Sequence, residues 1–333
     1  MEPGTSTGES GRPAPASAAA AEDARDPAAV AMAETIERLG RSSVSPFLAT
    51  PGNLGFRVPH GIAAYRRVRG WAVFATAPAA DVGHESDALD GALAHAAANG
   101  LRPVFAAVGD PEPFVDRGMY ATEIADDALV ALPGFTLAGK RRASIRHSVS
   151  AATRAGVTVV PYSDEHFDGL ARVSEQWLRT KRGGELGFTL GTFGRAELRS
   201  AECRVALDAD GRVVGFVTWR RFDDGRGRVL DLMRRAEDAP NPTMDLLVAS
   251  SLLEYSALGV AVASLGSVPR SHGQLAEHVY ATVSLRRYKD KFAPVWMPMS
   301  LVAPSPRRLP GALRAVTTAY CPDGMLRALR RNG

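Results

Sequence analysis

The sequence predicts an α+β fold built as two similar lobes. Segments rich in Val, Ala and Phe alternate with Ala- and Leu-rich segments that end in glycine, as strands and helices do. Strand, helix and hairpin patterns occur on both sides of residue 160. A hydrophobic content of 45% in 333 residues is enough for one or two packed domains. We therefore expect a disordered leader with a short helix at 1–44, lobes at 45–160 and 161–305, and a basic tail at 306–333.

The first half of the chain predicts a leader followed by helices and strands. Residues 1 to about 27 are mostly Ala, Pro, Gly, Ser and acids, so they cannot bury enough apolar surface to offset the entropy of ordering. Helices are predicted at 27–39, 87–99 and 140–155, where Gly40, Gly100 and Gly156 stop them. Strands are predicted at 61–67, 71–75, 102–108 and 128–132.

The second half repeats this mixture around a hairpin. A strand at 157–161 precedes a helix at 164–180, for which Ser163 or Asp164 is the expected N-cap. The hairpin covers 204–219, and its turn at 208–211 reads Asp-Ala-Asp-Gly, residue types that tolerate tight turns. A strand at 229–233, a helix at 244–258 and strands at 260–265 and 296–302 complete the prediction.

Cysteine and hydropathy patterns exclude several classes of protein. Cys203 and Cys321 lie far apart without neighbouring Cys or His at metal-ligand spacing, which excludes a disulfide scaffold, a zinc ribbon and a CxxC redox site. We expect no metal site. The sequence has no stretch of about 18 apolar residues and no secretory pattern at its start, so it predicts a cytoplasmic protein without a membrane span.

The net charge of +4 conceals an uneven distribution. Residues 1–40 carry three arginines and seven acids, a net of −4, which leaves +8 for the rest of the chain. From Arg286 to the end, ten basic residues face only two acids. This asymmetry favours a polyanionic partner, although a solvated basic surface is the alternative.

The order helix, hairpin, strand and helix in the second half is that of N-acetyltransferase-like (GNAT) folds. In those enzymes a glycine-rich turn between the strand and the helix holds the acetyl-CoA pyrophosphate through backbone N–H groups. The corresponding turn here, at 234–243, contains no glycine, two prolines and two acids. Ordinary use of acetyl-CoA is therefore not expected, although the fold can persist with another acyl donor.

Several ordered motifs resemble the C-terminal catalytic domain of phosphatidylglycerol lysyltransferases and alanyltransferases. They extend over about 55–303 and comprise residues 135–140, Trp177 with Lys181 and Glu185, 187–191 with Phe193, 230–235, 238–241 with Met244 and Asp245, and 285–292 with Pro294 and Trp296. The chain departs from the family pattern at Pro242, where glycine is common, and at Tyr288, where phenylalanine is usual.

The resemblance implies tandem GNAT-like lobes with mixed central sheets and flanking helices. It also implies an aminoacyltransferase that takes its aminoacyl group from aminoacyl-tRNA as co-substrate and needs no cofactor. Because no membrane helices precede this domain in the sequence, we expect a small soluble acceptor amine or hydroxyl, as in the seryltransferase of valanimycin (antibiotic) biosynthesis. A phosphatidylglycerol head group is the alternative, followed by an acyl-CoA-dependent N-acyltransferase and by a non-catalytic RNA-binding module.

Four residues are the expected catalytic group: Asp231, Arg234, Lys289 and Lys291. Asp231 is an acid in an apolar strand, so it needs a cationic partner, which is either the aminoacyl ammonium or Arg234 or Arg235. Arg234 shares the cleft with Asp231 only if a bulge or the strand end reorients it, and it would contact the tRNA terminus or an acceptor anion. Lys289 and Lys291 would share one face with Arg287 if 286–292 is extended.

The remaining candidates contact substrate or tRNA. Glu185, Asp245, Arg287 and Tyr288 are expected to bind substrate, although Asp245 could simply complement a helix dipole. Lys140, Arg141, Arg142 and Arg146 on the basic helix are expected to follow the tRNA backbone, with a solvated helix face as the alternative. His147 and His272 are interpreted as surface histidines.

Overall fold

The computed structural model describes residues 26–180, 187–189, 191–270 and 282–320. The predicted disordered segment and residues 321–333 of the predicted tail lie outside these ranges. The α-helices are α1 (Pro27–Leu39), α2 (Glu85–Ala98), α3 (Glu112–Val115), α4 (Ala143–Arg154), α5 (Phe167–Arg179), α6 (Arg195–Ser200), α7 (Thr243–Ala257), α8 (Thr282–Asp290) and α9 (Leu309–Tyr320). The strands are β1 (Leu54–Val58), β2 (Gly61–Val68), β3 (Trp71–Phe74), β4 (Ala79–Ala80), β5 (Arg102–Val108), β6 (Tyr120–Ala131), β7 (Thr158–Pro161), β8 (Glu202–Leu207), β9 (Val213–Phe222), β10 (Gly227–Arg235), β11 (Val262–Pro269) and β12 (Val295–Ala303).

All twelve strands belong to one mixed sheet, which confirms the predicted α+β class. The order is β1-β2-β3-β5-β12-β6-β11-β10-β9-β8-β7, and β4 pairs with β2. The pairs β3–β5 and β10–β11 are parallel, and the other recorded pairs are antiparallel. Strand β12, from the end of the second predicted lobe, lies between β5 and β6 of the first. The two predicted lobes therefore share a continuous sheet.

Two segments differ from the sequence prediction, and apolar spacing explains both. Residues 286–292, predicted as possibly extended, begin inside helix α8, because Leu285, Tyr288 and Phe292 follow a helical period. Residues 309–320 of the predicted basic tail form α9, which buries a stripe of small residues: Ala312, Ala315, Val316 and Ala319. Only Arg314 in this helix is basic, and the arginines that gave the tail its basic character lie before and after the helix.

A β-bulge in β10 shapes the region that carries the predicted catalytic residues. Leu230 pairs with Trp219 and Met233 with Val217, so β10 has one extra residue between these two pairs. The backbone N–H of Leu232 donates instead to the buried hydroxyl of Thr218 at 2.9 Å. Next to the bulge, β10 pairs with β11 only from 227 to 229. The later parts of β10 and β11 are unpaired with each other, which leaves room for side chains between them.

Candidate functional site

The carboxylate of Asp231 lies at the bulge, where it is buried and accepts hydrogen bonds from two donors. Its side chain is only 1% exposed, and Oδ2 accepts a 2.7 Å hydrogen bond from Nε of Arg220. Oδ1 accepts a 2.6 Å hydrogen bond from the N–H of Gly191. A Cβ at Gly191 would overlap the Asp231 carboxylate, so this close approach requires glycine. The expected cationic partner is thus present, but it is Arg220, whereas the predicted protein partners Arg234 and Arg235 were wrong.

The loop that covers Asp231 is held from the far side by α9 and β2. Phe188 is fully buried with a φ of 72°, a conformation that is costly for a bulky side chain. Tyr320 packs edge-on against this ring, its hydroxyl lies 2.6 Å from that of Thr189, and its carbonyl accepts the N–H of Gly187. Arg66 stacks over Phe188 at 5.5 Å and donates to the carbonyl of Ala319. The end of α9 therefore positions the loop against Asp231.

Arg234 does not present its guanidinium to solvent. It is 2% exposed, donates to the hydroxyl of Ser174, and lies 4.9 Å from the ring centroid of Trp177 and 5.8 Å from that of Phe193. A bulge, one of the two alternatives considered for reorienting Arg234, is present in β10, and Phe193 belongs to the same loop that caps Asp231. The contact of Arg234 with the tRNA terminus or an acceptor anion stays a prediction, and in this structure the side chain joins α5 to the loop.

Lys289 lies at the point where β10 and β11 separate. Its ammonium donates to the carbonyls of Gly266 at 2.7 Å and Ser267 at 3.3 Å. A Cβ at Gly266 would be 3.6 Å from Lys289 Nζ and 3.9 Å from the carbonyl oxygen of Leu230. Burial lowers the pKa of Lys289 to about 8, and the carboxylate of Asp127 opposes this shift. A buried ammonium next to the Asp231 strand can donate hydrogen bonds or exchange a proton near neutrality.

Asp245, Lys291 and Tyr288 form a second polar group. Lys291 Nζ lies 2.8 Å from Oδ2 of Asp245, whose side chain is 6% exposed, and 5.3 Å from the centroid of the Tyr288 ring. The Tyr288 hydroxyl is buried and has no hydrogen-bond partner among the described residues. Burial, and then the charge of Asp245, raise the pKa of Tyr288. This hydroxyl was predicted at the site rim, and that placement is wrong because it is enclosed.

Arg287, Lys289 and Lys291 do not share one face of the molecule. Arg287 is exposed on α8, Lys289 points into the molecule, and Lys291 follows the end of the helix. On a helix, residues two apart do not share a face, so the common surface predicted for an extended strand is wrong. Lys289 and Lys291 still reach neighbouring parts of the fold, β11 and α7, through different contacts.

Only part of the predicted tRNA surface is free. Arg142 donates to the carbonyl of Thr136 and stacks 4.3 Å from the Phe135 ring centroid. Arg146 donates to the carbonyls of Leu137 and Gly139. Both hold the loop before α4, although Arg146 is itself exposed, and Lys140 and Arg141 are exposed beside it.

The turn after β10 offers little to a cofactor phosphate. Arg235 donates to the Asn241 side chain, and Thr243 donates to the carbonyl of Pro240. Pro240 and Pro242 lack N–H groups, and Asp245 follows in the first turn of α7. Two cavities of about 400 and 380 Å³ lie elsewhere, around β7 and β8, and neither is lined by Asp231 or Lys289.

The structure brings some of the predicted site residues close together and leaves others apart. Lys289 lies where β10 and β11 separate and Asp231 lies at the β10 bulge, whereas Asp245 and Lys291 form a separate pair at the start of α7. Glu185 lies outside the described residues. Sequence reasoning missed Arg220 and the role of Gly191. The glycines of the 187–191 motif were the available signal, because a backbone that approaches a side chain closely needs glycine. Within the described ranges, no helix has the length and apolar character needed to cross a membrane.

The lowered pKa of Lys289 predicts a pH-dependent stability. The folded state disfavours the ammonium, so the unfolded chain binds more protons between pH 8 and 10.5, and stability should rise through this window. Relative to Lys289→Met, wild type should gain about 2 kcal/mol in free energy of unfolding from pH 8 to 10. Urea unfolding at several pH values measures this difference. Lys140→Met, at an exposed position, should show no such trend, and a difference that stays constant for Lys289→Met contradicts the prediction.

Comparison with known proteins places this fold and its motifs in a family. A sequence profile of the C-terminal region of phosphatidylglycerol lysyltransferase matches residues 33–303. The phosphatidylglycerol lysyltransferase of Bacillus subtilis is 29% identical over 203 residues, which covers 54% of this chain and 23% of that protein. That of Staphylococcus aureus is 26% identical over 201 residues, or 54% and 24% of the two chains. The chain spans about a quarter of the length of these curated relatives.

Solved structures agree with this result. The L-PGS structure from Bacillus licheniformis has a TM-score of 0.79 and 25% identity, covering 89% of this chain and 97% of that one. The C-terminal domain of a lysylphosphatidylglycerol synthetase from Agrobacterium fabrum has a TM-score of 0.79 and 23% identity, covering 90% and 98%. Because the profile match extends over most of the chain, this chain belongs to the phosphatidylglycerol lysyltransferase C-terminal family.

Proposed function

We propose that this chain transfers an aminoacyl group from aminoacyl-tRNA to a hydroxyl of a phosphatidylglycerol head group. The observation that carries the proposal is that separate family motifs meet at β10: Gly191 donates to Asp231, and Lys289 lies beside Gly266 next to the carbonyl of Leu230. The names of the relatives favour the lipid acceptor over the small soluble acceptor expected from the sequence. The amino acid itself is left open, and lysine is tested first.

The reaction needs no redox partner. The acceptor oxygen attacks the ester carbonyl carbon of the aminoacyl-tRNA, and the new ester forms as the bond to the terminal ribose oxygen breaks. The acceptor proton ends on that ribose hydroxyl, so atoms and charge balance. The protein must orient both reactants and stabilise the negative charge that develops on the carbonyl oxygen.

Asp231 supplies a fixed negative charge for the α-ammonium of the aminoacyl group. Arg220 keeps the carboxylate oriented, and the N–H of Gly191 occupies the oxygen that an ammonium would contact. An entering ammonium would replace this N–H with a charge-assisted hydrogen bond, which is the stronger interaction. Movement of Gly191 away from Asp231 is therefore part of the proposal.

The second polar group is suited to the acceptor. Lys291 is 31% exposed and is held by Asp245, so its ammonium is placed for a head-group phosphate or the developing oxyanion. The enclosed hydroxyl of Tyr288 has no partner among the described residues, which costs stability, and a substrate oxygen would satisfy it if this group opens when the acceptor binds.

A transfer assay tests the reaction. Purified protein is mixed with radiolabelled lysyl-tRNA and other aminoacyl-tRNAs, together with vesicles containing phosphatidylglycerol or phosphatidylcholine only. We expect label in the phosphatidylglycerol fraction and its loss after RNase treatment. Asp231→Asn should lower kcat/KM by about 10- to 100-fold, because a charged hydrogen bond of about 1.5–3 kcal/mol is lost.

Asp238→Asn is the matched control for Asp231→Asn, because Asp238 is an exposed acid just after the same strand. It should retain wild-type transfer. If label still reaches lipid after complete removal of tRNA, aminoacyl-tRNA is not the donor. If label reaches only added soluble amines or alcohols, the lipid is not the acceptor.

The variant Tyr288→Phe distinguishes a role of this hydroxyl in acceptor binding from its effect on stability. Removing a buried hydroxyl without a partner should raise the free energy of unfolding by about 1 kcal/mol. The same change should raise KM for the acceptor by about two- to tenfold, because the substrate loses one hydrogen bond. Urea unfolding and steady-state kinetics measure the two effects. Tyr255→Phe, which alters a buried tyrosine packed on Trp219, should leave KM unchanged. An unchanged KM in Tyr288→Phe argues against this contact.

The exposed cations before α4 provide a separate test of tRNA binding. The double variant Lys140→Gln/Arg141→Gln should weaken tRNA binding and lower the slope of log K against log salt by about 2, one for each lost phosphate contact. Arg154→Gln, at the exposed far end of α4, is the control. Filter binding at several salt concentrations gives both values. A slope identical to that of wild type would exclude these two residues from the RNA surface.

A further inference from the structure

A group of three potential metal ligands lies in the first half of the sheet, apart from the residues discussed so far. His60, His84 and Asp87 each offer one ligand atom, and these atoms lie within 4.8 Å of one another. His60 belongs to the turn between β1 and β2, while His84 precedes α2 and Asp87 lies in its first turn. The group therefore joins two segments that are 24 residues apart in the sequence.

The backbone around this group is firmly held. The N–H of Asp81 donates to the carbonyl of His60 at 3.0 Å, and the N–H of His84 donates to the carbonyl of Asp81 at 3.1 Å. Gly61 pairs with Ala80 in the short β2–β4 ladder. Helix geometry fixes Asp87 three residues after His84, on the same side of α2. The three Cα positions are thus set by hydrogen bonds that do not involve the three side chains.

The imidazole of His60 occupies its position at a backbone cost. His60 has a φ of 54° in a two-residue turn, where glycine or asparagine is the usual choice. Its ring stacks on that of His84 with centroids 3.8 Å apart and an interplanar angle of 24°. Among the described residues, the only polar contact recorded for either ring is the 3.4 Å approach of His84 Nδ1 to Asp87 Oδ2. Both rings keep nitrogen atoms available for a ligand.

We propose that His60, His84 and Asp87 bind a divalent transition-metal ion such as Zn²⁺, with water in the remaining coordination positions. Two imidazoles and a carboxylate are a donor set that zinc accepts in proteins. Bonds of 2.0–2.1 Å in a tetrahedral site bring donor atoms to about 3.3 Å from each other, so donor atoms that lie within 4.8 Å of one another must close in by at most about 1.5 Å. The stacked His60 and His84 rings must separate so that their in-plane nitrogen lone pairs point at one ion, and the 44% and 60% exposure of the His84 and Asp87 side chains leaves room for these rotations.

The bound ion would fasten the β1–β2 turn to the start of α2. Both segments cover the same core, in which Val58 and Leu89 are buried together. A bound ion stabilises the folded state, because the unfolded chain does not hold the three donors together. The proposal is independent of aminoacyl transfer.

Metal binding to the full chain, without an affinity tag, tests the proposal. Titration with ZnCl₂ by calorimetry should give about one ion per chain, and CoCl₂ should give the visible absorption of a low-coordinate cobalt site. His60→Ala and His84→Ala should each weaken Zn²⁺ binding by at least about tenfold, since a lost ligand costs more than a lost outer-shell partner. Zn²⁺ should raise the melting temperature of wild type but not of these variants.

His147→Ala is the matched control, because His147 is an exposed histidine on α4 outside the group. It should bind Zn²⁺ as wild type does. Absence of stoichiometric binding of both Zn²⁺ and Co²⁺ overturns the proposal. Equal Zn²⁺ binding by wild type and by a His60→Ala/His84→Ala double variant also overturns it, since the ion would then lie elsewhere. Circular dichroism of each variant checks its folding, and the exposed positions make loss of the fold unexpected.

Discussion

The buried ion pair of Asp231 and Arg220 is the constraint around which the candidate site is arranged. A carboxylate that is 1% exposed is stable only with a cation and hydrogen-bond donors around it. Arg220 comes from the neighbouring strand and Gly191 from a separate loop, so strand register and loop position must both be correct. The bulge in β10 produces the register between β10 and β9 that brings Asp231 and Arg220 together. The hydroxyl of Thr218 accepts the backbone N–H of Leu232 at this bulge.

The closed loop connects the two predicted lobes physically. Arg66 from the first half and Tyr320 from α9 both hold the segment around Phe188, and the same segment places Gly191 on Asp231. Strand β12 adds a second connection, because it lies between strands of the first half. A change at the end of α9 can therefore alter a carboxylate on β10 without any direct contact between them.

Much of the fold followed from the sequence, whereas contacts that depend on register did not. The glycine after Leu39 allowed the bounds of α1 to be predicted correctly, and the predicted bounds of β5 are also those of the structure. Asp231 was identified because an acid in an apolar strand needs a partner, but a bulged hairpin made that partner Arg220. For 286–292 the alternating cations suggested a strand, while the buried apolar residues had helical spacing. His60 and His84 carry no motif, because only the fold brings them together.

Burial of Asp231 also limits how the site can act. A carboxylate that already has two good donors gains from a substrate only if the new contact exceeds the one that it replaces. The Gly191 N–H is the weaker of the two donors because it is uncharged, and the strained φ of Phe188 lies only three residues away. Exchange of the N–H for an ammonium therefore requires loop movement but leaves the Arg220 pair intact. Under the proposed function the loop would therefore favour positively charged groups, because a neutral group would gain nothing over the existing contact.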